Sequence, residues 1–204
     1  MSQPAPIHFW FDFISPFGYL ASLRIDALAA RHGRDVAWHP VLLGVTVLKV
    51  MGLRPLMETP LKRDYVVREI GRYQRRHAVT IARALDRPPM NPLPAARAFA
   101  ALLNHAPAEA RCFARAALHD YWVRCVDLDE PTALLDCGQR AGLPTGTLRN
   151  ALEDPAAPAL LRAEVDAAIR QGVFGSPFFI VDAEPFFGVD KLELIDEWLA
   201  RGGW

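Results

Sequence analysis

The serine of Ser15-Pro16, directly after the aromatic run Ile7 to Phe13 (IHFWFDF), is the first residue in the chain whose type and position could do chemistry. The run is β-prone, and Ser followed by Pro is a helix entry, with Ser as N-cap and Pro at the first helical position. A hydroxyl there can donate to an anion, and the helix dipole and free N–H groups favour the same negative charge. It can equally be a cap and nothing more. A second pair, Ser176-Pro177, follows the turn GVFG and precedes the apolar run Phe178 to Val181. Asp190, in FFGVDKL, opens the last helical stretch, where with Glu193 it resembles a capping box.

Other reactive types are sparse. Cys112, Cys125 and Cys137 are spaced 13 and 12 apart, which fits neither a CxxC redox pair nor a zinc knuckle; buried thiols in a reducing compartment are expected. The six histidines form no HxxxH or HExxH spacing, so no metal site is expected. Lys49 follows a strand whose end should border a site, and it and Lys62 are candidates to hold a substrate carboxylate, a task Arg54 or Arg97 could share.

The elements that must position these residues follow from periodicity. After the first strand, Leu20, Leu23, Ala27 and Ala30 recur at helical spacing until Gly33, and a second strand is expected at about Asp35 to Leu42. Such a βαβ unit implies a right-handed crossover and a parallel pair, with a ligand beyond the carboxyl ends of the strands, where Ser15 falls. From Val45 to Gln171 helical periods dominate. Prolines 88, 89, 92 and 94 mark a bend, and Glu130-Pro131, Leu143-Pro144 and Asp154-Pro155 mark three helix starts. The end returns to strands at Phe178 to Val181 and Phe186-Phe187, separated by a turn at Asp182 to Pro185 and followed by a helix with Leu192, Ile195 and Leu199 inward.

The expectation is therefore an α/β thioredoxin-like fold, βαβ … ββα, formed by residues 1–44 and 172–204, with residues 45–171 as an all-helical insertion. Twenty-three basic residues balance 23 acidic ones, which argues against recruitment of nucleic acid or an anionic membrane and for a small-molecule partner. The start MSQPAPIHFWFDF lacks a basic segment ahead of an apolar one, so no export leader is expected. The longest apolar stretch, Leu93 to Leu103, is broken by Arg97 and falls short of the roughly 20 residues that cross a bilayer. A cytoplasmic protein is expected.

FDFISPFGYL near the start and GVFGSPFFIV…EPFFGVDKL near the end resemble the 2-hydroxychromene-2-carboxylate isomerase family, which is similar to kappa-class glutathione transferases and more distantly to DsbA-type thiol oxidases. LLGVTVLKVMG, PLKRDY at 60–65 and DYWVRCVDL at 120–128 extend the resemblance over nearly the whole chain. It implies glutathione as cofactor, with Ser15 stabilising its thiolate. It further implies a cis Ser176-Pro177 bond, with the Ser176 main chain pairing with the cysteinyl part, and Gly188, Val189 and Asp190 holding the γ-glutamyl end. Asn91, in PMNPLPAAR, resembles a segment bordering the cleft. The implied activity is cis-trans isomerisation of an aromatic-derived unsaturated 2-oxo acid. Kappa-class-like glutathione conjugation and a non-catalytic binding module are the alternatives; the kappa class also implies a homodimer. One departure stands out: where relatives read KxxGN, this chain reads Lys49-Val50-Met51-Gly52-Leu53, so leucine replaces an amide expected near glutathione.

Overall fold

A computed structural model describes residues 4–204; residues 1–3, where the stretch read for an export leader begins, lie outside the described residues. Strand β1 (Ile7–Phe11) sits inside a four-stranded sheet ordered β2-β1-β3-β4. It pairs in parallel with β2 (Val36–Pro40) and antiparallel with β3 (Phe178–Val181), which in turn pairs antiparallel with β4 (Glu184–Phe187). Alternation along β1 explains its central place. Ile7, Phe9 and Phe11 face the main core, where Phe11 meets Trp38 and Phe99 edge-on. Trp10 faces the other way, into a smaller cluster with Val41, Ala168, Val173 and Phe178. Both faces of the strand are covered, and truncating Phe11 to alanine is expected to cost about 3–5 kcal/mol.

The segment between β1 and β2 is two short helices, α1 (Pro16–Ser22) and α2 (Ile25–Arg31), where the periodicity predicts one. The break at Leu23-Arg24 shifts the helical phase. The buried face becomes Leu20, Ala21, Ile25, Leu28 and Ala29, while Leu23, Ala27 and Ala30 are exposed. Between β2 and β3 lie a π-helical turn (Gly44–Val50), α3 (Lys62–His77), α4 (Leu93–His105), α5 (Pro107–Trp122), α6 (Pro131–Arg140), α7 (Thr145–Glu153) and α8 (Ala157–Arg170), with no strand among them. Proline sits in the first turn of α4, α5, α6 and α8, where its missing N–H costs nothing. No helix among the described residues is long and apolar enough to cross a membrane.

The β3–β4 turn is tighter than the four residues expected: Asp182 and Ala183 both take positive φ, as a two-residue type I′ hairpin requires. The final helix, α9 (Leu192–Arg201), begins later than its sequence suggests. Gly188 turns the chain at φ 108 into a short 3-10 turn over Val189–Lys191, which leaves Asp190 ahead of the helix. The expected capping box does not form: no side chain caps α9, and the Asp190 carboxylate pairs with Lys191 Nζ. The βαβ … ββα order, with helices between the halves, is that of the expected thioredoxin-like fold.

Candidate functional site

Ser15 lies just beyond the carboxyl end of β1, in extended conformation (φ −92, ψ 114), so that Pro16 can start α1. Its hydroxyl is buried and doubly engaged. Oγ accepts from Gly18 N–H at 3.0 Å and donates to the carbonyl oxygen of Ser176 at 2.9 Å. Two residues 161 positions apart thus meet through one hydrogen bond.

The Ser176-Pro177 bond is cis. The loop it shapes is fastened on both sides. Ser176 Oγ accepts the Asp12 N–H at 3.0 Å, and Pro177 O accepts the Gly188 N–H at 3.1 Å. Ser176 therefore uses its side chain as well as its main chain, a role its sequence context does not suggest. The second fastening joins the loop to the turn carrying Val189, which is buried, and Asp190, which is exposed. That turn packs against α1, so Ser15, Ser176-Pro177 and Gly188 to Asp190 converge on one end of the sheet. The glycine at 188 is required by its positive φ, and a Cβ there would strike Asp190 Oδ1.

Two further residues belong to the site although sequence reasoning missed them. Gly18 lies beneath the Ser15–Ser176 contact, where a Cβ would stand 2.7 Å from Ser176 Oγ and 3.2 Å from Ser15 Cβ. Asp12, 1 % exposed, has no ion-pair partner among the described residues. Its Oδ1 accepts from Ile14 N–H at 3.1 Å and its Oδ2 from Leu43 N–H at 2.8 Å. Burial pushes its carboxyl up to about 6 against the lowering effect of those two hydrogen bonds. The available signal was a lone carboxylate between Phe11 and Phe13, both of which are buried. From the helical side, Trp122 Nε1 of α5 donates to Phe13 O at 3.0 Å and steadies the approach to Ser15.

The substrate-binding candidates are less closely gathered. Lys49 is exposed on the π-helical turn that follows Leu43, and Lys62 is exposed at the start of α3. Asn91 is exposed and its Oδ1 accepts the Leu93 N–H at 3.1 Å, a cap for α4. Among the described residues, no hydrogen bond or ion pair ties any of the three to Ser15, Ser176 or Asp12. Leu53 is half-exposed, its N–H bonded to Val47 O at 3.0 Å. Cys112, Cys125 and Cys137 are unbridged; contrary to the expectation of buried thiols, Cys112 is exposed at the surface of α5 and Cys125 is part-buried, while burial, reinforced by Asp120, pushes the Cys137 thiol up, away from thiolate chemistry. The described residues hold no group of three or more metal-ligating side chains.

The chain is 28 % identical over 199 residues to 2-hydroxychromene-2-carboxylate isomerase of Sphingobium xenophagum, covering 95 % of this chain and 97 % of the relative. It is 24 % identical over 205 residues to glutathione S-transferase kappa 1 of Rattus norvegicus, covering 94 % and 90 %. A solved structure of a 2-hydroxychromene-2-carboxylate isomerase shares its fold with a TM-score of 0.80 at 22 % identity, over 96 % of this chain and 94 % of the other. The family model for the DsbA-like thioredoxin domain matches residues 6–200, nearly everything the sheet and its helices comprise, and the chain belongs to that family.

Proposed function

We propose that the chain is a glutathione-dependent cis-trans isomerase of 2-hydroxychromene-2-carboxylate type substrates in aromatic-compound degradation, working in the cytoplasm as a homodimer. The observation that carries this reading is the buried contact between the Ser15 hydroxyl and the Ser176 carbonyl, beside a Ser176 N–H that takes no hydrogen bond among the described residues. Similarity to the named isomerase over nearly the full length supports the reaction, and similarity to a kappa-class transferase supports the cofactor.

The groups present suit a γ-glutamyl-cysteinyl peptide. The Ser176 main chain, with one free donor and a carbonyl that retains a lone pair, would pair with the cysteinyl backbone as an added strand would. Asp190 would take the ammonium of the γ-glutamyl end, with main-chain contacts from Gly188 and Val189. The Ser15 hydroxyl, turning its proton from Ser176 O towards the sulfur, would stabilise a thiolate and lower the thiol pKa. When bound, glutathione supplies a nucleophile whose reversible addition to the conjugated carbon lets the former double bond rotate. Lys49 and Lys62, with Asn91, would hold the substrate carboxylate and steady negative charge as it develops on the neighbouring carbonyl.

Glutathione conjugation by the same residues is the second reading, favoured by the kappa-class similarity. Leu53, in place of an amide, is the feature that favours a third, a binding module without catalysis. Incubating the protein with 2-hydroxychromene-2-carboxylate, with and without glutathione, separates them. Conversion to the trans isomer only when glutathione is present supports the isomerase. Accumulation of a stable glutathione conjugate favours the transferase, and neither product in any condition favours the module.

A further inference from the structure

Asp12 reaches three loops around the candidate site through its own groups. Its Oδ1 holds Ile14 N–H, in the turn that delivers Ser15. Its Oδ2 holds Leu43 N–H, at the end of β2 where the segment carrying Lys49 begins. Its own N–H is held by Ser176 Oγ, in the cis-proline loop. Burying a carboxylate without a counter-charge is costly, and a neutral asparagine would fill the same space. We propose that Asp12 is a positioning residue: its ionised carboxylate clamps the ends of β1 and β2 to the Ser176 loop, so that the site is assembled only while Asp12 carries its charge. The inference rests on the functional reading above for its consequence, and on geometry alone for the clamp.

Two main-chain donors require two acceptor oxygens, which a carboxylate offers in full. Protonation converts one oxygen into a hydroxyl, a donor facing an N–H, and one of the two bonds weakens. The carboxyl's shifted pKa, about 6, places this change within reach of ordinary buffers. The titratable group whose field reaches Asp12 from α5 is Tyr121, itself pushed up by burial and neutral over that range. Ser176 and Leu43, from the other two loops, present no charge to it. His8 and His39 are engaged elsewhere: they bond to each other at 3.0 Å, and His39 bonds to Glu164 at 3.0 Å.

Hydrogen exchange of the ligand-free protein tests the clamp without reference to glutathione. The protection of the Leu43 or the Ile14 amide, whichever faces the protonated oxygen, corrected for intrinsic rate, is expected to fall about tenfold between about pH 7 and about pH 5. The Val41 amide, bonded to Phe11 O at 2.9 Å, should keep its protection. Equal protection of both Leu43 and Ile14 across the range overturns the clamp. Calorimetry then tests its consequence: glutathione affinity of the wild type should fall about tenfold over the same interval, whereas Asp12→Asn binds more weakly at pH 7 and varies less than about twofold. His39→Gln should retain the wild-type acid limb. If that limb persists in Asp12→Asn, or vanishes in His39→Gln, Asp12 is not its source and the proposal fails. Loss of Leu43 or Ile14 protection in a protein that binds no glutathione supports the clamp and counts against the functional reading instead.

Discussion

Gly18 lies so close beneath Ser176 that a single added carbon on the glycine would stand 2.7 Å from Ser176 Oγ. The neighbour is a short, buried side chain that also receives the Asp12 N–H, so it has little freedom to retreat. Gly18→Ala should consequently disturb the site more than the fold. Alanine gains about 1 kcal/mol of helix propensity, and local overpacking costs about 1–3 kcal/mol, so a net destabilisation of about 0–2 kcal/mol is expected. Glutathione affinity is expected to fall about tenfold, because displaced Ser176 no longer faces Ser15. A melting curve beside a calorimetric titration checks both parts, and unchanged affinity would contradict the role given to this contact.

Asp12 makes an opposite pairing of stability and function. Its folded pKa, about 6, lies above the unfolded value of 3.8. Its contribution to stability is therefore fully present below pH 3.8 and is lost as pH rises through 6. A shift of this size corresponds to about 3 kcal/mol at most. Asp12→Asn, which has no charge to bury, should gain stability relative to wild type by up to about that amount between about pH 4 and about pH 8. Denaturant unfolding of both proteins at the two pH values measures the difference. A constant difference across the range would show that the carboxyl is not shifted.

Leu53 stands where the resemblance leads one to expect an amide, and its side chain is half-exposed. Leu53→Asn should tighten glutathione binding about fivefold, the value of about one net hydrogen bond. Weaker binding would mean that the segment after Lys49 is arranged differently around the cofactor.

Much of this architecture was legible because it is written in local signals. The aromatic alternation of β1, Ser15 with Pro16, and the helix starts at prolines each depend on neighbours in sequence. The break between α1 and α2 was not legible, because Leu23 has the same periodicity whether its helix continues or stops; packing of Ile25 into the core decides it. Asp190 misled for a related reason. A capping-box spacing says nothing about the positive φ at Gly188, which inserts a 3-10 turn before α9. Asp12 and Gly18 are harder still. Their significance comes from Ser176, more than 150 positions away, and no pattern within β1 or α1 announces it.

The central claim is that the Ser15 hydroxyl, held by Ser176 O at 2.9 Å in the free protein, serves a bound thiolate. Its most direct test is a pH titration of thiolate absorbance for glutathione bound to wild type and to Ser15→Ala. The account predicts a thiol pKa well below that of free glutathione on the wild type, and a rise of about one unit or more when the hydroxyl is removed. Equal pKa values on the two proteins, with both fully bound, would contradict it.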